Sequence, residues 1–217
     1  MEHDYLRWEK DIDNILTQTM IFDSAHDLGH IHRVTQTALE LSSHLQANPF
    51  IIYPACMLHD CVNVDKNSLL RNQSSRLSAD KAIHLLRKIN YPNELLESIH
   101  HAIAAHSFSA QIEAETIEAK VVQDADRLDS LGAVGLSRCL MLAGNWGSAI
   151  YHYDDPLAAT RPYDDKNFCL DHFFTKLKKI PQMMKTEPGR KEAEKRWIFM
   201  KQYIDQLCQE INIKMMW

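Results

Sequence analysis

Glycine and proline are scarce in this chain, six and seven among 217 residues, against about 26 together for average usage at this length. So few turn-formers argue against sandwiches and barrels of many short strands, and against the glycine loops that cradle nucleotide phosphates. The five cysteines (Cys56, Cys61, Cys139, Cys169, Cys208) include no C-x-x-C pair, and their odd number argues against a disulfide frame. Reduced thiols of a cytoplasmic protein are the expectation. Met1 to Ile15 is charged throughout and lacks the apolar core of a secretory leader. The longest apolar run, Pro49 to Leu58, is too short to cross a bilayer and contains Pro54. Against 29 Asp and Glu stand 24 Lys and Arg, a net charge of −5 with no basic run, so neither a membrane nor a nucleic acid is an expected partner. What remains is a helical chain of a length that suits one domain over residues 1–217 with a real core.

Helical periodicity recurs along the chain, and strand alternation does not. Ser24, with Asp27 three residues on, suits the N-cap of a helix whose apolar stripe is Ile31, Val34, Ala38, Leu41 and Leu45. A short buried helix follows Pro49 and ends in Ala55-Cys56-Met57-Leu58. Residues 61–75 are polar and irregular, a long loop of the kind that is more often functional than idle. Ser75 or Ser78 then caps a helix with the stripe Ala79, Ala82, Ile83, Leu86 and Ile89. Pro92 opens another, on which Leu96, Ile99, Ile103 and His106 share a face. The segment Ile117 to Leu142 is apolar almost all round and is predicted as one central helix. Residues 144–166 read as a second structured loop. Two helices, about Asp165–Met184 and Glu187–Ile213, complete an all-α chain.

Histidine is in excess, with twelve copies. Three His-Asp dipeptides occur, and their surroundings separate them. His3-Asp4 sits in a charged terminus, whereas His59-Asp60 ends an apolar run and so lies at the edge of a core. A carboxylate there needs hydrogen bonds or a cation to offset its desolvation. Capping a helix end, or orienting His59, would also serve. His30 lies one turn after His26, beside the Ile31/Val34 stripe. Far downstream, Asp124, Asp126 and Asp129 place three acids in or beside the predicted central helix. Two imidazoles and two carboxylates around one divalent ion form a formally neutral site. Such mixed nitrogen and oxygen donors suit Mn²⁺, Fe²⁺, Co²⁺ or Ni²⁺ and leave positions open for water and substrate. Spacing does not choose between the acids: Asp124 shares the face of Ile117, Val121 and Leu128, and Asp126 that of Val122 and Ala133.

The order His30 (in His-Ile-His-Arg-Val), His59-Asp60 (in Met-Leu-His-Asp) and Asp126 (in Ala-Asp-Arg-Leu) resembles the H…HD…D signature of HD-domain phosphohydrolases. It is most similar to their YedJ-like branch, through His26–Val34, Asp65-Lys66-Asn67 to Ser74-Ser75, His101–Ser109, Val122–Asp129 and Arg161–Lys166. The resemblance covers nearly the whole chain. It implies an all-α HD-domain helical bundle with one divalent cation, Mn²⁺ foremost and Mg²⁺, Fe²⁺, Co²⁺ or Ni²⁺ as alternatives. The ligands it implies are His30, His59, Asp60 and Asp126, which settles the tie between the acids. It also implies metal-assisted hydrolysis of a phosphoester or phosphoanhydride of a small phosphorylated substrate. A nucleoside or deoxynucleoside triphosphate is the expected substrate, with Asp60 and His106 at the reacting centre.

Lys66 and Arg71, in the polar loop after the doublet, are the candidates for gripping phosphate. Asn67 and Ser75 are further donors and Arg127 a further cation, with ordinary solvated loop residues as the alternative. Tyr151, Arg161 and Lys166 of the second loop could close over a sugar or base. Many HD phosphohydrolases carry a carboxylate three residues after the doublet. Here that position is Asn63 and the nearest acid is Asp65, so the general base is unassigned. His101 and His106 are similar to the extra histidines of two-metal HD proteins, but they point apart on a helix, which favours His106 alone as a neighbour of the ligands or of phosphate. Two rival readings stand: a nucleotide-binding protein without turnover, and a two-iron oxygenase, which needs more histidine ligands. Whether the chain forms a homo-oligomer is left open.

Overall fold

The computed structural model describes residues 6–19, 28–62, 64, 68 and 71–213. Among these no strand forms, and a single isolated bridge joins Ala149 to Phe168. The chain falls into two compact helical units, Met1–Asp126 and Arg127–Trp217. No described helix is long and apolar enough to cross a membrane.

The first unit is built around α3 (Pro49–Leu58), the most apolar helix. Every residue from Ile51 to Leu58 is buried, because α1 (Leu6–Thr19), α2 (Leu28–Ser43) and α5 (Asn93–His106) all pack on it. Its start is well defined: Asn48 caps it by accepting from the Phe50 amide at 3.0 Å, and Pro49 supplies a φ already suited to a first turn. Its interior carries a defect. Pro54 has no N–H for the Phe50 carbonyl one turn earlier, and the Tyr91 hydroxyl donates to that carbonyl instead, at 2.7 Å. The stripe Ile31, Val34, Ala38 and Leu41 is buried on α2, but Leu45 lies beyond the helix end and is half-buried. The Ser24 cap falls outside the described residues. Beside α3, α4 (Ser74–Lys88) pairs with α5, burying Ala79, Ala82, Ile83 and Leu86 against Leu96, Ile99 and Ile103.

The structure redraws several boundaries. The start of α4 is Ser74, preceded by a tight 3-10 turn over Arg71–Gln73, and no side chain caps it. Ser78 instead accepts from the Val62 amide at 3.1 Å. The N-terminal segment, for all its charge, forms α1 and buries Ile12 and Leu16 at helical spacing. The predicted central helix is two helices, α6 (Ile117–Leu128) and α7 (Gly132–Asn145). Between them Leu131 is extended (φ −118°, ψ 166°) and Gly132 adopts φ +73°, a region costly for any residue with a Cβ. The helix predicted over Asp165–Met184 is likewise divided, into α8 (Cys169–Thr175), a 3-10 turn and α9 (Ile180–Met183). Pro181 cannot continue a helix begun at Cys169, since it lacks the donor for the Leu177 carbonyl. In the second unit α7, α9 and the long α10 (Glu187–Glu210) pack together, α10 burying Ala193, Met200, Ile204 and Cys208.

Two stability outcomes follow from the packing. Tyr91→Phe keeps the ring and removes the hydroxyl that donates to the Phe50 carbonyl. It is expected to cost about 1–2 kcal/mol in chemical denaturation; an unchanged midpoint would mean that water replaces the bond. Gly135 faces the Ser130 carbonyl so closely that an added methyl would drive into the backbone, whereas Gly144, on the same helix, faces open space. Gly135→Ala should therefore destabilise by about 2 kcal/mol or more, and Gly144→Ala should be neutral or stabilise by up to ~1 kcal/mol. Equal effects at the two positions would refute the close approach.

Candidate functional site

The end of α3 delivers His59 as its C-cap, with Asp60 directly after it, while α2 supplies His30, α5 supplies His106 as its last residue, and α6 supplies Asp126. All five belong to the first unit. His59 Nε2 stands 3.4 Å from Asp60 Oδ2 and 3.9 Å from Asp126 Oδ1, and His30 Nε2 is 3.6 Å from the same Asp126 oxygen. His106 Nε2 lies 3.6 Å from Asp60 Oδ1. The His59 ring meets those of His30 and His106 edge-on, at centroid distances of 5.4 and 4.9 Å. The imidazoles are buried and the carboxylates only partly so. One wall of the site is therefore dry and the other opens to solvent.

Helix ends set the tautomers. The last carbonyls of a helix lack intrahelical donors. Nδ1 of His59 donates to the Cys56 carbonyl at 2.7 Å, and Nδ1 of His106 donates to the Ile103 carbonyl at 2.6 Å. With the proton held there, Nε2 of His59 presents its lone pair to the carboxylates. That atom is fully buried and has no hydrogen-bond partner among the described residues. Leaving it so is costly. Burial, together with the neighbouring His106 and His30, lowers the proton affinity of His59 more than Asp60 and Asp126 raise it, so the ring stays neutral. Burial also opposes protonation of His106, but the nearby charge of Asp60, with Asp126 behind it, outweighs this and raises its pKa.

The nitrogen and oxygen donors of His30, His59 and Asp60 all lie within 4.8 Å of one another, a cluster that could hold a metal ion. Separations of 3.4–3.9 Å are too long for hydrogen bonds. They lie between the ~3.0 and ~4.2 Å that separate neighbouring and opposite ligands when each bond to a shared ion is about 2.1 Å. The orphaned His59 nitrogen and the two carboxylates thus suit a divalent cation.

Other candidates are placed less centrally. Asp124 is buried. Lys66 and Asn67 lie outside the described residues, as do Asn63 and Asp65. Arg71 is placed only by its backbone, in the 3-10 turn before α4. Ser75 is buried, and its hydroxyl donates to the Ala104 carbonyl at 2.9 Å, so its proton ties α4 to α5 instead of facing a substrate. Arg127 donates to the Met183 carbonyl at 2.7 Å. Asp129 pairs with Arg138. His101 points elsewhere, accepting from the Glu115 amide at 3.1 Å. In the second loop the Arg161 guanidinium grips Asp171 with two bonds and lies over the Phe168 ring. Sequence reading passed over Gln123, a buried amide whose Nε2 donates to the Ala105 carbonyl at 2.6 Å. Its signal was present: a polar residue three before Asp126 whose neighbours Val121 and Val122 are both core.

Known proteins share this chain's sequence pattern and fold. The HD domain family model matches residues 27–131. Protein YpgQ of Bacillus subtilis (strain 168) is 33% identical over 204 residues, covering 92% of this chain and 90% of that protein. The crystal structure of B. subtilis YpgQ in complex with ADP superposes with a TM-score of 0.75 at 32% identity, over 94% of this chain and 95% of that one. An HD-superfamily hydrolase from Bacillus thuringiensis gives a TM-score of 0.72 at 31% identity, over 95% and 99% of the two chains. With its histidines and aspartates gathered at one helix end and this likeness over nearly its full length, the chain belongs to the HD-domain family of hydrolases.

Proposed function

We propose that this protein is a divalent-metal-dependent phosphohydrolase that cleaves a phosphoester or phosphoanhydride bond of a nucleotide. The observation that carries the reading is the fully buried His59 Nε2, neutral, without a partner and aimed at two carboxylates. His30, His59, Asp60 and Asp126 would hold the ion, with Mn²⁺ the first choice among Mg²⁺, Fe²⁺, Co²⁺ and Ni²⁺. A bound divalent cation supplies Lewis acidity to a phosphoryl oxygen and lowers the pKa of a coordinated water. Asp60 has a second task, since its other oxygen faces His106 Nε2 at 3.6 Å and favours the protonated ring. A proton held on that nitrogen can be donated to a phosphoryl or leaving oxygen as negative charge develops. Lys66, Asn67 and Arg71, in the segment after the doublet, are proposed to contact phosphate. The crystal structure of YpgQ with ADP, from a relative alike over nearly its whole length, supports a nucleotide as the ligand class.

Metal analysis of purified protein should find about one divalent ion per chain, which His30→Ala and Asp126→Ala each remove. Added Mn²⁺ should raise the melting temperature of the wild type and leave that of both variants unchanged. If the two variants keep both metal and hydrolysis, the ligand assignment is wrong. His106→Ala should retain the ion and lose about 10²–10⁴ in kcat; loss of the ion would instead make His106 a ligand. A panel of nucleoside mono-, di- and triphosphates, scored separately for phosphate and pyrophosphate release, identifies the bond cut. Tight nucleotide binding with no product under any of the five ions would contradict the enzyme reading and favour a binding protein.

A further inference from the structure

The second unit holds a pair of cysteines outside any role described so far. Cys139, on α7, and Cys169, the first residue of α8, are thirty positions apart in sequence, yet their sulfurs lie 3.3 Å from each other. That is van der Waals contact or closer for two unbonded sulfurs, so little movement separates the pair from a covalent bond. Cys169 is buried and Cys139 half-buried, which gives a small oxidant one side of approach. The contact between the two sulfurs couples the thiols, drawing the Cys169 pKa below its usual value and pushing that of Cys139 upward. A lowered thiol pKa beside a second thiol is the arrangement in which one sulfur attacks an oxidant and the other resolves the product. The other three cysteines are buried, and their thiols are all pushed upward, with Cys61 at about 11.

We propose that Cys139 and Cys169 are a redox-active thiol pair, oxidised by hydrogen peroxide or an organic hydroperoxide to a disulfide that staples α7 to α8. One sulfur of the pair attacks a peroxide oxygen, the O–O bond breaks, and a sulfenic acid and water (or an alcohol) result. The other sulfur then attacks the sulfenic sulfur, the S–S bond forms, and the hydroxyl leaves as water with the second thiol's proton. The position of the staple gives it consequences. The Cys169 amide donates to the Ala149 carbonyl at 2.9 Å, closing the base of the 149–168 segment. Two residues on, Asp171 holds Arg161 and, at 2.7 Å, the Asp164 amide of the same segment. Oxidation therefore fastens α7 to the frame of this loop. The inference is independent of the hydrolytic reading of the first unit.

The test uses the intact wild-type protein treated with hydrogen peroxide, alkylated under denaturing conditions and mapped by peptide mass. The expected result is a peptide joining Cys139 to Cys169, lighter by two hydrogens and cleaved by dithiothreitol, with Cys56, Cys61 and Cys208 alkylated. Closing a thirty-residue loop should raise the melting temperature on the order of 5 °C, reversibly. The rise should be absent in Cys139→Ser and Cys169→Ser. The proposal is overturned if all five thiols stay alkylatable or if the pair ends as sulfinic acids with no bridge. A rise in melting temperature that survives in either serine variant overturns it too.

Discussion

The candidate site rests on how the carbonyls at two helix ends find donors. At the end of α5 three consecutive carbonyls are each satisfied by a side chain: Ile103 by His106, Ala104 by Ser75 and Ala105 by Gln123. Unpaired and buried, each would cost about 1–3 kcal/mol. Satisfied, they lock α5 to α4 through Ser75 and to α6 through Gln123. Those two locks fix His106 relative to Asp126, which α6 carries three residues after Gln123. The same logic operates at α3, where His59 reaches back to Cys56. A requirement that belongs to every helix is here met by the residues that build the site, or by their immediate neighbours.

Placing the cluster at the edge of the core, and not inside it, resolves a conflict of costs. Imidazoles tolerate burial, and His30, His59 and His106 are all buried. Carboxylates cannot be buried cheaply without a partner, and Asp60 and Asp126 keep about a quarter of their side-chain surface exposed. The buried half supplies lone pairs held at fixed positions, and the half-exposed half supplies charge and an opening to solvent. The two carboxylates bring a formal −2 that one divalent cation would offset.

How far the sequence foretold this is decided by which forces are local. The stripe of Ile31, Val34, Ala38 and Leu41 and the run from Pro49 to Leu58 were legible because helical period and burial coincide along one element. His59-Asp60 was legible as a core-edge doublet for the same reason. The interruption at residues 129–131 was not. Apolar residues lie on both sides of it, and only the positive φ of Gly132 and the close seat of Gly135 against Ser130 reveal the break. Spacing did not separate Asp124 from Asp126, since both acids sit on α6; the approach of His30 and His59 to Asp126 depends on α2 and α3. Ser75 misled because a serine at the mouth of a polar loop looks like a donor to a ligand. Its partner, the Ala104 carbonyl, lies 29 positions away.

One comparison inside the site shows how little backbone geometry alone determines. His59 and His106 are held alike, each with Nδ1 on the carbonyl three residues before it, at 2.7 and 2.6 Å. Their proton affinities nevertheless move in opposite directions. His59 lies at the centre, with His30 on one side and His106 on the other, so protonating it would set a buried charge among other imidazoles. His106 lies at the margin, where Asp60 faces its Nε2 at 3.6 Å and the His59 ring stands on one side only. The central ring is thereby suited to offering a lone pair and the marginal ring to carrying a proton. A metal-assisted hydrolysis needs both capacities, and here one aspartate, reaching each ring with a different oxygen, lies between them.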